Sequence, residues 1–132
     1  MNESVHAAAA PKAVGRYPHA RRVGQLLFLS GIGPRDARDD SIPSDFTAQC
    51  HSVFANVRAV LEASGARWED LVDVTVYLTD MARDFPAYNA AWAQYFPDAA
   101  SAPCRTTLGI TALPTPIAIE LKCVAAVPRG GA

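Results

Sequence analysis

Residues 103–127, PCRTTLGITALPTPIAIELKCVAAV, decide the fold. They read as two strands, RTTLGI and IAIELKCVA, joined by a loop that Pro114 and Pro116 stiffen. Strand side chains alternate between faces, so Leu108 and Ile110 share one side of the first strand and Arg105, Thr107 and Gly109 the other. In the second strand Ile117, Ile119, Leu121 and Cys123 form the apolar side, which leaves Ala118, Glu120, Lys122 and Val124 opposite. If both strands turn their apolar sides toward one core, Arg105 and Glu120 emerge together on the far face. Such a pair offers a carboxylate-binding cation beside an acid/base group. The plainer alternative is a cross-strand salt bridge on a solvated face, since surface ion pairs are common and contribute little.

Outward from this stretch, the pattern alternates between helix and strand. Upstream of it, Phe85, Tyr88, Trp92, Tyr95 and Phe96 recur at helical spacing, which predicts a helix from about Asp84 to Phe96 with Pro86 in its first turn. Before that helix, LVDVTVYL places Val72, Val74, Val76 and Leu78 on one side of a strand and Asp73, Thr75 and Tyr77 on the other. A further helix begins near Asp45, with Ser44 or Asp45 as cap and Phe46, Cys50, Val53, Phe54, Val57, Val60 and Leu61 as its apolar stripe, until Gly65 stops it. RYPHARRVGQLLFLSG reads as a hairpin around Gly24, followed by a charged, turn-rich loop, IGPRDARDDSIP. Residues 1–15 read as a flexible arm, 16–128 as one domain and 129–132 as a tail. The resulting order, β-β-α-β-α-β-β, predicts an α+β fold with a mixed sheet and both helices on one face. No helix remains for the other face, which would carry Arg105 and Glu120, so a partner subunit is expected to cover it.

The chain has 132 residues, enough for a single domain with a real core. Charged residues make up 19% and hydrophobic ones 50%, a balance poorer in charge than the roughly 25% of an average soluble domain. It points to surface buried in an oligomer. A formal net charge of −1 supplies no long-range field for nucleic acid or anionic membrane. Cys50, Cys104 and Cys123 are odd in number and widely spaced, against both a disulfide framework and a zinc site. A reducing cytoplasm is expected, since the first residues, MNESVHAAAAPKA, lack the features of a signal peptide and no run approaches the ~20 apolar residues of a membrane helix.

Several motifs are incomplete. SGIGPR lacks the third glycine and the following helix of a dinucleotide loop, and no P-loop, HExxH or GxSxG occurs. His6, His19 and His51 show no metal-ligand spacing. Ser30 has no partner base in sequence, and Arg21-Arg22 stands without the interleaved aromatics of an RNA-binding surface.

Taken together, VGRYPHA, LLFLSG, SGARWEDLVDVTVYLTDM, FPAYNAAWAQYF and PCRTTLGITALPTPIAIEL resemble the reactive intermediate deaminase family, RidA, also called YjgF. The resemblance spans nearly the whole chain. It implies a chorismate mutase-like fold and a homotrimer with a barrel-like core and three clefts at subunit interfaces. The implied activity is hydrolysis of enamines and imines to ketones and ammonia, without metal or cofactor.

By position, the resemblance places the carboxylate-binding arginine at Arg105 and the water-handling glutamate at Glu120. It adds Tyr17, Ser30 and Gly31 to the cleft wall. The roles are chemically coherent: a guanidinium grips a carboxylate through two parallel bonds, and a glutamate can take a proton from attacking water and return it to the departing nitrogen. The chain departs from the broad family at three places. Its first strand is Arg16-Tyr17-Pro18-His19-Ala20, Thr107, a further substrate-binding candidate, stands where cysteine is frequent, and Ser30-Gly31 continues into Ile32-Gly33-Pro34-Arg35. These features, with the Arg-Thr-Thr triplet and the Leu-Pro-x-Pro loop, look like the 2-aminomuconate deaminase branch. That branch implies a dicarboxylate substrate, for which Arg35 is the candidate second cation, with a solvated loop charge as the alternative. General deamination of 2-iminobutanoate or 2-iminopropanoate, and a non-catalytic trimer that binds a small acid or a protein or nicks RNA, are the competing readings.

Overall fold

The helix signalled at Asp45 forms as Phe46–Ala63 (α1), with the Asp45 carboxylate accepting the Ala48 N–H at 3.0 Å. Such a cap stabilises a helix by about 1 kcal/mol. Cys50, Val53, Phe54, Val57, Val60 and Leu61 are buried along its inner stripe, and Gly65, at φ 75°, takes the left-handed conformation that ends it.

The computed structural model describes residues 2–128. Around α1 stand β1 (Asn2–Val5), β2 (Ala20–Val23), β3 (Leu26–Leu29), β4 (Leu71–Leu78), α2 (Met81–Tyr95), β5 (Cys104–Gly109) and β6 (Ile119–Ala126). The sheet runs β1-β2-β3-β6-β4-β5. β4 and β5 are parallel, joined by α2, and every other neighbouring pair is antiparallel. This is the expected α+β arrangement. Leu27, Leu29, Val74, Val76, Leu78, Ile119, Leu121 and Cys123 turn into one core with the inner faces of both helices. Gly24, at φ 60°, makes the tight β2–β3 turn.

Four expectations need correction. The segment expected to be a loose arm begins with β1, which pairs residue for residue with β2, and Ala7 and Ala10 are buried beyond it. A short edge strand of polar and small residues carries almost no alternation to read. Met1 and the expected tail, 129–132, lie outside the described residues. α2 starts at Met81 rather than near Asp84, because Asp80 caps it by accepting the Arg83 N–H at 3.1 Å; Pro86 therefore lies inside the helix. In β4 a bulge between Leu71 and Asp73 shifts the phase, and Val72 is 42% exposed instead of facing the core with Val74.

The fourth correction governs the site. Arg105 and Thr107 pair with Val74 and Val76, which are buried beneath the helices, so both lie on the helix-bearing face. Glu120 pairs with Tyr77 on the opposite, open face. Within one chain the two residues stand on opposite sides of the sheet. The inverted phase of β5 has a physical cause: it is an edge strand whose apolar Leu108 looks outward, 43% exposed, while α2 houses the guanidinium.

Candidate functional site

Glu120 is partly buried on β6, and its carboxylate has neither a hydrogen-bond donor nor an ion-pair partner within bonding distance among the described residues. Burial pushes its carboxyl above the usual carboxylate range. The carboxylate packs against Gly31: a Cβ there would stand 2.6 Å from Oε2, so a larger residue would displace it. Gly31 is held in place because Ile32 and Leu121 exchange backbone bonds at 2.8 and 2.9 Å.

Two clefts meet at Gly31 and Glu120, which line both. The first, about 180 Å³, includes Tyr17, Ser30, Arg35, Pro114 and residues 10–14 in its wall. The second, about 350 Å³, is lined by Tyr77, Ile110, Ala112, Leu113 and Lys122. Tyr17 Oη accepts the Val14 N–H at 3.3 Å and keeps its own proton for a ligand. Ser30 donates to the Pro18 carbonyl at 2.7 Å, leaving its oxygen as an acceptor. Arg35 donates to the Lys12 carbonyl at 2.7 Å and pairs with Asp40 at 3.3 Å.

The wall at 10–14 is fastened by His19. Its Nδ1 accepts the Ala7 N–H at 2.9 Å, so Nε2 carries the proton and donates to the Pro11 carbonyl at 2.6 Å. From the other side Asn56 donates to the carbonyls of Gly33 and Arg35 at 2.9 and 2.8 Å, and Ser52 to that of Pro34 at 2.6 Å. The strap and the glycine loop are thus anchored from His19, the residue before β2, and from α1.

On the other face Arg105 donates to Asn89 Oδ1 at 2.9 Å. Its guanidinium lies 5.0, 5.2 and 6.0 Å from the ring centroids of Trp92, Tyr88 and Phe85. Cation–π contacts of this kind add about 0.5–1 kcal/mol at exposed positions. They hold the fork while leaving N–H donors for an anion. Thr107 Oγ1 and Tyr88 Oη are buried nearby without a hydrogen bond of ordinary geometry. Burial raises the Tyr88 phenol, and the approach of Thr107 and Arg105 offsets part of that shift.

The family model described as Endoribonuclease L-PSP matches residues 7–127. A RutC family protein of Pyrococcus horikoshii is 36% identical over 126 residues, which cover 95% of this chain and 98% of that one. Among solved structures, RidA from the Antarctic bacterium Psychrobacter superposes with a TM-score of 0.88 at 30% identity, covering 95% of this chain and 99% of its own. The YjgF gene product of E. coli gives 0.87 at 29%, covering 94% and 98%. The chain belongs to the RidA/YjgF family.

In this RidA/YjgF chain five of the expected site residues, Tyr17, Ser30, Gly31, Arg35 and Glu120, share the first cleft, while Arg105 and Thr107 lie away from it. Sequence reasoning missed His19, Asn89 and Lys122. Asn89 had a signal: it is the polar member of the stripe Phe85, Tyr88, Asn89, Trp92, whose spacing of three, one and three puts it among aromatic rings. That stripe reads from sequence as core alone, yet it also brackets Arg105. His19 had none, because its partners are backbone groups. No group of three or more His, Cys, Asp or Glu able to hold a metal occurs among the described residues, and none of their helices is long and apolar enough to cross a membrane.

Proposed function

We propose that this RidA/YjgF-family chain is a cofactor-free hydrolytic deaminase of enamine and imine acids, with 2-aminomuconate or a similar dicarboxylate as substrate. The observation that carries this reading is Glu120, a partly buried carboxylate with no partner of its own among the described residues, at the junction of two clefts. The enamine is protonated at carbon to give an iminium ion, the protonated imine. Glu120 takes a proton from water as the water oxygen bonds to the C=N carbon, leaving a carbinolamine. It then returns that proton to nitrogen as the C–N bond breaks, while the hydroxyl proton passes to the departing ammonia, which leaves as ammonium beside the ketone. Burial suits Glu120 to this exchange by bringing its proton affinity closer to that of the groups it serves. Tyr17 and Ser30 orient water or substrate from the wall.

Within one chain Arg105 and Glu120 lie on opposite sides of the sheet, which supports the requirement that the arginine gripping the substrate carboxylate come from another chain. A homotrimer in which the edge strand β5 carries Arg105 of the partner subunit to each cleft meets this requirement. It also covers the open face, where Leu26, Phe28 and Leu108 are exposed.

Ammonia release from 2-aminomuconate, with Arg105→Ala and Glu120→Gln as controls, tests the proposal. The expected result is a loss of at least about 100-fold in each variant with binding retained in Glu120→Gln. Wild type and both variants running at the uncatalysed rate would instead support a non-catalytic binding trimer. Equal or faster release from 2-iminobutanoate would shift the assignment to general imino acid deamination.

A further inference from the structure

Lys122 is the part of this site that the proposed chemistry leaves unused. It follows Glu120 by two residues on the same face of β6, so the two backbones are about 7 Å apart along the strand. Both side chains line the second cleft, yet they form no ion pair. The Lys122 ammonium donates one N–H to the Leu29 carbonyl and meets no carboxylate within ion-pair distance among the described residues. Burial pushes its amine below the ordinary lysine range, the behaviour of a charge without compensation. Two of its three donors remain, and Tyr77 adds a phenol to the same wall. Ile110, Ala112 and Leu113 supply an apolar side, which suits the carbon chain of a ligand better than water.

Arg35 presents a contrasting case. It lines the first cleft, but its charge is balanced by Asp40 at 3.3 Å and its fork is committed to the Lys12 carbonyl at 2.7 Å. An already paired guanidinium gains less from a new anion than an unpaired ammonium does. Lys12, on the wall of the first cleft, also has no ion pair among the described residues, but Lys122 is the cation that lines the second cleft beside Glu120.

From this geometry we infer that the second cleft is the subsite for a distal carboxylate of the ligand, with Lys122 as its counter-ion and Tyr77 as a supporting donor. The inference deepens the deaminase reading, on which it rests, by assigning dicarboxylate selectivity to Lys122 rather than to Arg35. Glu120 then stands between the two ends of the ligand, opposite the reacting carbon.

Two unreactive probes separate this inference from the activity. Muconate and sorbate share a six-carbon diene skeleton and differ by one carboxylate. Titration calorimetry on the full chain should show muconate binding more tightly than sorbate. Lys122→Met should weaken muconate by about tenfold or more, the worth of one charge-assisted bond, and leave sorbate within about twofold. Lys122→Arg should restore most of the muconate affinity, and Arg35→Leu should leave the preference intact. Circular dichroism and a thermal melt establish that each variant is folded, with Lys122→Gln replacing Lys122→Met if the latter is not. Equal affinity of wild type for the two probes, equal loss of both in Lys122→Met, or selective loss of muconate in Arg35→Leu would each overturn the assignment. If ammonia release fails while muconate selectivity depends on Lys122, the deaminase reading falls and the subsite stands.

Discussion

Glu120 sits where its charged form is disfavoured, and this links its protonation to folding. Its folded carboxyl titrates above the ordinary value of 4.5, because of burial. The protonated group is therefore favoured by the native state. The associated stability is fully present below pH 4.5 and is lost as pH rises through the raised folded value. Glu120→Gln removes that loss. Thermal melts should show the variant and wild type close together below pH 4.5 and the variant more stable at pH 7. A gap that did not change with pH would mean that burial is not what perturbs this residue. The same titration predicts activity rising with pH on a limb whose midpoint lies above the usual carboxylate range. Glu120 was legible from sequence because alternation in IAIELKCVA isolates it among apolar neighbours. Its freedom from partners was not, since that depends on what Gly31 and Tyr77 bring beside it.

Among elements, the N-terminal segment departs furthest from its sequence reading. Residues 10–14, in the segment that follows β1, form a wall of the first cleft, and His19 on the approach to β2 fastens the segment at the Ala7 N–H and the Pro11 carbonyl. His19→Ala removes both bonds at a partly buried position, and two bonds of ordinary worth amount to about 1–3 kcal/mol. A fall in the thermal midpoint is expected, together with faster hydrogen exchange at Ala7 and along 10–14, while exchange in α1 keeps its protection. Uniform acceleration across the chain would show that His19 supports the whole fold rather than the strap. The helices and central strands, by contrast, were legible because their burial is periodic: α1 at three and four, β4 and β6 at two. Where the pattern failed, a local device had intervened. A bulge turned Val72 outward, and Asp80 started α2 before its apolar stripe began.

At the scale of the whole molecule, the sheet separates the two halves of the proposed chemistry. Arg105 is braced by Asn89 and three rings on the α2 side, and Glu120 faces away from the helices. Co-expression of Arg105→Ala with Glu120→Gln decides whether subunits share each site. In randomly mixed assemblies about a quarter of the clefts would combine both native residues, so roughly a quarter of wild-type activity should return. Mixtures as inactive as either variant alone would place both residues' roles within one chain. If the proposed trimer forms across the open face, Leu108→Arg should dissociate it and abolish activity together, read by sedimentation and ammonia release.

Tyr17, Ser30, Gly31 and Arg35 entered through the family resemblance; by itself the sequence determined the two helices, the central strands and their order, the two-helix cover of one sheet face, and the standing of Arg105 and Glu120 as polar residues in alternating strands. These follow from local periodicity and residue chemistry, which neighbours along the chain carry. Tertiary structure alone decided which face Arg105 occupies, because an edge strand can turn its apolar side outward when a helix supplies rings for a guanidinium. It also decided that residues 10–14 line the first cleft, and that Lys122 meets no carboxylate among the described residues beside Glu120. Each of these depends on contacts between segments far apart in sequence, and no periodicity in the chain records them.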